Sequence, residues 1–112
     1  MQATQVKALD SWSNKVNGTS LQGYVTTTYD HLVSLFGQGI GPGDKTTAEW
    51  VLEFNDGSVA TIYDWKEYST PMGRYDWHVG GNSRLVVAMV QEALDGIIEV
   101  VDQFEEDEYF GA

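Results

Sequence analysis

The sequence predicts an α+β fold of two layers, in which a small antiparallel sheet packs against helices. Three observations support this prediction. The segment 48–54, AEWVLEF, alternates apolar and polar side chains as half-buried strands do. The residues Asn, Asp and Gly at 55–57 suit a hairpin turn, because they tolerate the positive φ that such turns need. Beyond them, apolar side chains repeat at helical spacing from Leu85 to Phe104.

The chain divides into three predicted parts. Residues 1–20 are expected to form an N-terminal arm or a short helix, which the NGTS sequence ends. Residues 21–104 are expected to form a single α+β domain, since 112 residues fit one domain. Residues 105–112 are expected to form an acidic C-terminal tail.

The first half of the domain predicts a short strand and then a helix. The segment 21–27, LQGYVTT, is typical of a strand. A helix near 28–36 follows, with Thr27 or Thr28 as its N-terminal cap. Gly37 is a suitable stop, because glycine readily adopts the left-handed conformation found at helix ends.

The second half predicts the sheet and the last helix. The hairpin 48–65 is its centre, and a third strand is expected at 75–79. Trp50 and Phe54 share the apolar face of the first hairpin strand, so both should be buried. The last helix is expected near 83–102.

The length of the last helix predicts self-association. Ile97, Val100 and Phe104 would extend its apolar stripe beyond what a three-stranded sheet covers. Since monomers seldom expose large apolar patches, we expect a homodimer. Gly96 weakens the middle of this helix, but the apolar period continues through it.

Charge excludes several classes of partner. Seventeen acidic residues against six basic ones give a net charge of −11. Such a chain should repel nucleic acids and anionic membranes, and the sequence contains no apolar span of membrane length. After Arg84 the chain carries acidic residues alone. They are read either as a solvated face and tail or as a surface that binds a basic partner by imitating nucleic acid, with partner contacts at Glu99, Asp102, Glu105, Glu106, Asp107 and Glu108.

Catalytic and metal-binding functions find no support in the sequence. There is no cysteine, and two histidines are too few for an imidazole-rich metal site. No nucleophile elbow, zinc-protease or P-loop motif occurs. We therefore expect a protein that is not an enzyme and that uses no cofactor or metal.

The residues WHVGGNSR at 77–84 predict a ligand site. Two glycines let a ligand approach the backbone where a helix begins, and an arginine in the first turn suits a bound anion. If the second and third strands pair, Tyr63, Trp65, Tyr75 and Trp77 should gather near several cations, as in sites that stack a base and hold a phosphate. The predicted nucleotide-binding residues are Trp65, Lys66, Trp77, His78, Gly80, Gly81, Asn82, Ser83 and Arg84. The simpler interpretation is an ordinary strand-to-helix turn, with the tryptophans in the core.

The central part of the chain resembles a family of small tailed-bacteriophage proteins of unknown function. The features that carry this resemblance are LFG, GDKTTAEW, DGSVATIYDWK and WHVGG, within residues 24–81. The helix and hairpin are also similar in architecture to one repeat of the β-lactamase-inhibitor-protein and outer-membrane-assembly lipoprotein folds. The phage resemblance implies an accessory protein in the host cell cytoplasm.

Together these observations predict a non-enzymatic phage protein that counters host defence by binding. It would sequester a phosphate-bearing nucleotide signal. Alternatively, it would be an acidic inhibitor of the anti-CRISPR type, which binds a host defence protein in place of nucleic acid.

Overall fold

The computed structural model describes residues 3–104, which form a mixed α/β domain of one six-stranded sheet and two helices. The strand order is β2-β5-β4-β3-β1-β6. The elements in chain order are β1 Gln5–Ala8, β2 Ser20–Thr27, α1 Tyr29–Phe36, β3 Glu49–Phe54, β4 Val59–Tyr63, β5 Tyr75–Gly81, α2 Leu85–Leu94 and β6 Glu99–Val100.

The predicted hairpin is confirmed as β3 and β4. Trp50 lies opposite Ile62 in this antiparallel pair, and the backbone N–H of Phe54 donates to Ser58 across the turn. Gly57 adopts a φ of 94°, which explains why the turn contains glycine. Trp50 and Phe54 are buried, as expected, with 1% and 0% of their surface exposed.

The predicted third strand and first helix are also present. β5 pairs with β4 on one side and with β2 on the other. Helix α1 begins after Thr28, whose hydroxyl accepts a hydrogen bond from the backbone N–H of His31, and ends at Gly37 with a φ of 79°. Within residues 3–104, neither helix is long and apolar enough to cross a membrane.

The prediction of an arm or short helix at residues 1–20 is wrong for residues 5–8. These residues form β1, which pairs with β3 and, in parallel, with β6. Val6 lies opposite Phe54 and Val100 and is fully buried. Both partners are distant in sequence, so no local periodicity indicates this strand.

The predicted last helix near 83–102 is too long. Helix α2 ends at Leu94, and Gly96 turns the chain with a φ of 80°. The N–H of Ile97 then donates to the carbonyl of Glu92, which closes the helix end. Residues 99–100 form β6 beside β1. Apolar side chains continue past Gly96. Ile98 and Val100 join the same core, whereas Ile97 is exposed.

The homodimer prediction loses its original reason with this correction. Ile97 is 68% exposed, and it lies in the turn after α2. Val100 is in β6, and the ring of Phe104 lies 4.6 Å from the Lys7 ammonium. The homodimer stays a prediction.

The side chains of the sheet divide between two faces. One face packs with both helices into the main core, through residues such as Trp50, Ile62 and Trp77 together with Leu32 and Val90 of the helices. We call the opposite side the second face. It carries the alternate residues of the strands, among them Tyr24, Glu49, Val51, Glu53, Thr61, Tyr63, His78 and Gly80.

Candidate functional site

The second face is crossed by the connection between β1 and β2, residues 9–19, which we call the crossing segment. Because β1 and β2 are separated by three other strands, this segment must traverse the middle of the sheet. It contains a short 3-10 helix, Asn14–Val16, which contacts β4. The Lys15 ammonium is within hydrogen-bond distance of the Glu53 carboxylate on β3, which anchors the segment to the sheet.

A cavity of about 240 Å³ lies between the crossing segment and the sheet. Its lining combines large aromatic rings with hydroxyl groups and one carboxylate. The lining residues are Trp12, Val16, Thr19, Ser20, Thr46, Glu49, Thr61, Tyr63, Trp65 and Gly80. The cavity is open to solvent beside Trp12 and Trp65, which are 56% and 43% exposed.

Glu49 supplies the charge in this cavity. Only 8% of its surface is exposed, and its Oε2 accepts a hydrogen bond of 2.7 Å from the Thr46 hydroxyl. That hydroxyl in turn accepts the N–H of Gly43 at 2.7 Å, so the loop fixes the orientation of the carboxylate. Among residues 3–104, the Glu49 carboxylate has no second hydrogen bond and no ion pair, which leaves Oε1 available to a ligand.

Three rings continue this surface across the sheet. His78 lies opposite Tyr24 on β2 and Tyr63 on β4. Its imidazole stacks on Tyr63 with centroids 5.2 Å apart and meets the edge of Tyr24 at 4.8 Å. Tyr24 is 52% exposed, so the aromatic surface extends from the cavity to the edge strand of the sheet.

Burial shifts the pKa of two rings of this surface, those of His78 and Tyr63. Burial lowers the pKa of the His78 imidazole, an effect that the carboxylates of Asp64 and Glu67 oppose. Its Nδ1 is buried and has no hydrogen-bond partner among residues 3–104. Burial also raises the pKa of the Tyr63 hydroxyl, and Tyr24 and Glu49 add to this rise. Glu49 is the one acidic residue among those that line the cavity.

Four of the predicted nucleotide-binding residues lie at or beside this surface. Trp65 and Gly80 line the cavity, and the centroids of Trp65 and His78 are 6.5 Å apart. The Lys66 ammonium lies 5.9 Å from the Trp65 ring. Gly80 has a local role, because a Cβ there would approach the Thr61 hydroxyl to 2.5 Å.

Two predicted residues lie on the opposite face of the sheet. Trp77 is fully buried in the main core, and its indole N–H donates to the carbonyl of Thr27 at 3.2 Å. Gly81 is buried against α2, where a Cβ would approach Val86 Cγ2 to 2.5 Å. Both residues therefore lie away from the second face, and their contact with a ligand stays a prediction. Gly81 permits close packing of the helix on the sheet.

The predicted pair of phosphate-binding cations does not converge. Lys66 follows the C-terminal end of β4, and Arg84 follows the C-terminal end of β5. Because β4 and β5 are antiparallel, these ends lie at opposite sides of the pair. Arg84 occupies the N-terminal cap position of α2 with Asn82 and Ser83 exposed before it, so the turn is separate from Lys66.

The predicted acidic surface is described in part. Glu99 lies in β6 and accepts a hydrogen bond from the Gln5 amide at 3.1 Å, and Asp102 is exposed beyond it. Glu105, Glu106, Asp107 and Glu108 lie outside the described residues. Since Glu99 is opposite Gln5 and Gln5 is two residues from Lys7, Glu99 belongs to the second face.

Sequence reasoning missed Trp12, Glu49 and Thr46 as site residues. No sequence motif marks Trp12, which lies in the expected N-terminal arm. The alternation in 48–54 places Glu49 on the polar face of its strand, and in the structure the crossing segment covers that face. Such coverage depends on strand order, which a single sequence does not reveal.

A second, larger cavity of about 520 Å³ lies beside the end of α1. It is lined largely by loop residues at 8–10, 35–39 and 100–102. Its ionisable residues are Asp10 and Asp102, and it holds no aromatic ring other than Phe36. Residues 3–104 contain no group of three or more histidines and carboxylates arranged to hold a metal ion.

Comparisons of the chain with protein-family models, with curated proteins and with solved structures found no match. The geometry of the second face is therefore the basis for any functional proposal.

Proposed function

We propose that this protein is a non-enzymatic binding protein and that the second face of its sheet binds a basic partner protein. The observation that carries the proposal is the open aromatic cavity with the Glu49 carboxylate inside it. Tryptophan and tyrosine are the residues most enriched in the energetic centres of protein interfaces. Trp12, Tyr24 and Trp65 are each exposed by 43–56% on this one surface.

Charge complementarity indicates the class of partner. The chain carries a net charge of −11, and such a field accelerates encounter with a basic protein surface while it repels nucleic acids. Host proteins that grip nucleic acids present clustered lysine and arginine. Such a host protein would be the partner of the acidic inhibitor that the sequence predicts as its alternative function. The second face would make the main contact with it, and Glu99 would lie at the margin of that contact.

The biological setting follows from the sequence resemblance alone. It supports a phage protein that acts against host defence in the host cell cytoplasm. The two-layer architecture is part of the same proposal. It is supported by the helix residues Leu32 and Val90, which join a single core cluster with the strands.

A nucleotide ligand is the second candidate. The exposed Asn82–Arg84 turn favours it, since Arg84 is exposed at the start of α2 and forms no ion pair among residues 3–104. Against it, Trp77 is buried and the two cations leave the sheet at opposite ends. The cavity is also below the range of about 300–1,000 Å³ typical of pockets that enclose drug-sized ligands.

The experiment compares capture of host proteins by three forms of the immobilised chain. The parent chain is expected to retain a basic protein, and the Trp12→Ala/Tyr24→Ala double variant should lose it. Leu85→Ala is the control, because Leu85 is 72% exposed but lies at the start of α2, away from the second face. It should retain the same protein as the parent.

Calorimetry with linear and cyclic nucleotides is the complementary arm. If the second-face proposal is right, no nucleotide should bind the parent chain in a way that depends on Arg84. A nucleotide that binds the parent and loses affinity in Arg84→Ala would replace the second-face proposal with the second candidate. Equal capture by the parent and the double variant would also overturn it.

A further inference from the structure

The cavity under the crossing segment has the composition of a receptor for one cationic side chain. Its volume is about 240 Å³, which suits a single side chain better than a whole metabolite. The rings of Trp12, Tyr63 and Trp65 form part of its wall. Aromatic faces attract cations through the ring quadrupole, and tryptophan does so most strongly.

One cation–π contact is already present beside the cavity, between Lys66 and Trp65. The ammonium of Lys66 lies 5.9 Å from the Trp65 centroid, near the outer limit of a cation–π contact. Lys66 is exposed and follows Trp65 directly in the chain. The face of Trp65 is therefore electrostatically suited to a cation.

The carboxylate of Glu49 provides the counter-charge. Its Oε2 is fixed by Thr46, while its Oε1 receives no hydrogen bond from any of residues 3–104. The neighbouring acid on β3, Glu53, differs in this respect, because Lys7 and Lys15 both approach it. Glu49 is nine-tenths buried and lines the cavity without a cation of its own.

Resting on the binding function proposed above, we infer that this cavity binds the guanidinium group of an arginine on the basic partner. The guanidinium would donate hydrogen bonds to Glu49 Oε1 and lie against the rings of Trp12 and Trp65. Arginine suits this arrangement better than lysine, because its planar group stacks on rings while its edge donates to a carboxylate. The hydroxyl groups of Thr19 and Thr61 supply acceptors for the remaining N–H groups.

The probe is a blocked Gly-Gly-Arg-Gly-Gly peptide, compared with the same peptide carrying citrulline, the neutral isostere of arginine. Binding is followed by NMR of the four tryptophan indole N–H groups during titration of the full chain. The signals of Trp12 and Trp65 should shift. Those of Trp50 and Trp77 should stay, because both are buried and donate to the carbonyls of Gly37 and Thr27. The citrulline peptide should bind at least tenfold more weakly.

Two variants test the roles of the residues. Glu49→Gln keeps the shape of the side chain and should weaken binding of the arginine peptide at least tenfold. Glu92→Gln removes the same charge from an exposed position on α2 and should change binding less than twofold. Trp65→Leu is the second variant, since Trp65 is 43% exposed and its replacement leaves the core intact. It should weaken binding about tenfold and preserve the thermal transition.

Several results would overturn the inference. Equal weakening by Glu49→Gln and Glu92→Gln would show general charge attraction, and equal binding of the citrulline peptide would exclude recognition of the cation. If the parent captures a host protein through the second face but Glu49→Gln captures it equally well, the guanidinium site is wrong while the binding function stands. If no captured protein depends on Trp12 and Tyr24, the binding function itself fails.

Discussion

Gly81 tests whether the paired glycines in WHVGGNSR serve packing or a ligand. A Cβ added at Gly81 would lie 2.5 Å from Val86 Cγ2 and 3.3 Å from the carbonyl oxygen of Val59. Val86 is 3% exposed within the core, so its side chain has little room to withdraw. Gly81→Ala should therefore destabilise the fold, because the helix start must move away from the sheet.

The magnitude follows from two opposing effects. Overpacking a core by a small group costs about 1–3 kcal/mol. Replacing glycine by alanine at an ordinary φ stabilises a protein by about 0.4–1 kcal/mol, because it reduces the conformational entropy of the unfolded chain. We expect Gly81→Ala to lose about 1–2 kcal/mol of unfolding free energy. At roughly 4 °C per kcal/mol for a domain of this size, Tm should fall by about 4–8 °C.

Urea denaturation and thermal melts measure this loss against a matched control. Gly73 has an ordinary φ and nothing within 4 Å of an added Cβ, so Gly73→Ala should be neutral or slightly stabilising. Val86→Ala alone should cost about 2 kcal/mol from lost methyl groups, but it removes the clash at Gly81. The double variant should then be at least 1 kcal/mol more stable than the sum of the single effects. The packing explanation would be refuted if the effects of Gly81→Ala and Val86→Ala on stability were strictly additive and Gly81→Ala were as stable as Gly73→Ala. Contact between Gly81 and a ligand would then again be the explanation to test.

Three further outcomes can be measured on the same chain. Gly96→Ala should cost about 1 kcal/mol by urea denaturation, because φ is 80° and nothing lies within 4 Å, so the effect is backbone strain alone. Asp64→Ala should cost about 3 kcal/mol, because this fully buried carboxylate accepts the N–H groups of Thr47 and Ala48, which would lose their partner; a loss below 1 kcal/mol would contradict this role. Burial lowers the folded-state pKa of His78, so the unfolded chain binds a proton first as pH falls. The contribution of neutral His78 to the free energy of unfolding should be complete above about pH 6.5 and should be lost as the pH falls below it. His78→Gln should remove this part of the pH dependence of stability.

The sequence predicted the elements that depend on neighbours along the chain. The hairpin β3–β4 has alternating side chains and a turn with the correct residues, so its position was available. Helix α1 has its cap at Thr28 and its stop at Gly37. Each feature acts within a few residues, and a local pattern is enough to reveal it.

The errors concern pairing between distant residues. Strand β1 is four residues long and is stabilised by Phe54 and Val100, far from it in sequence. Helix α2 was extended through Gly96 because the apolar spacing continued. The left-handed conformation of Gly96 redirects the chain into β6 without interrupting that spacing. Apolar periodicity alone does not mark where a helix ends, because past Gly96 it runs through the exposed Ile97 and into Val100 of β6.

The candidate site was divided by a shift of one residue in strand register. The sequence correctly placed Tyr63 and Trp65 together, and both residues line the cavity. Trp77 would join them on the same face of the sheet only if it lay opposite Tyr63 in the pair of β4 and β5. The structure places Tyr63 opposite His78 instead. Since successive side chains in a strand point to opposite faces, one residue of register exchanges the whole set. It sends Trp77 into the helix-covered core and brings His78 and Gly80 to the second face. A run of aromatic and basic residues in sequence is thus divided by the sheet, and a site on a strand is assembled from alternate residues and their partners across the ladder.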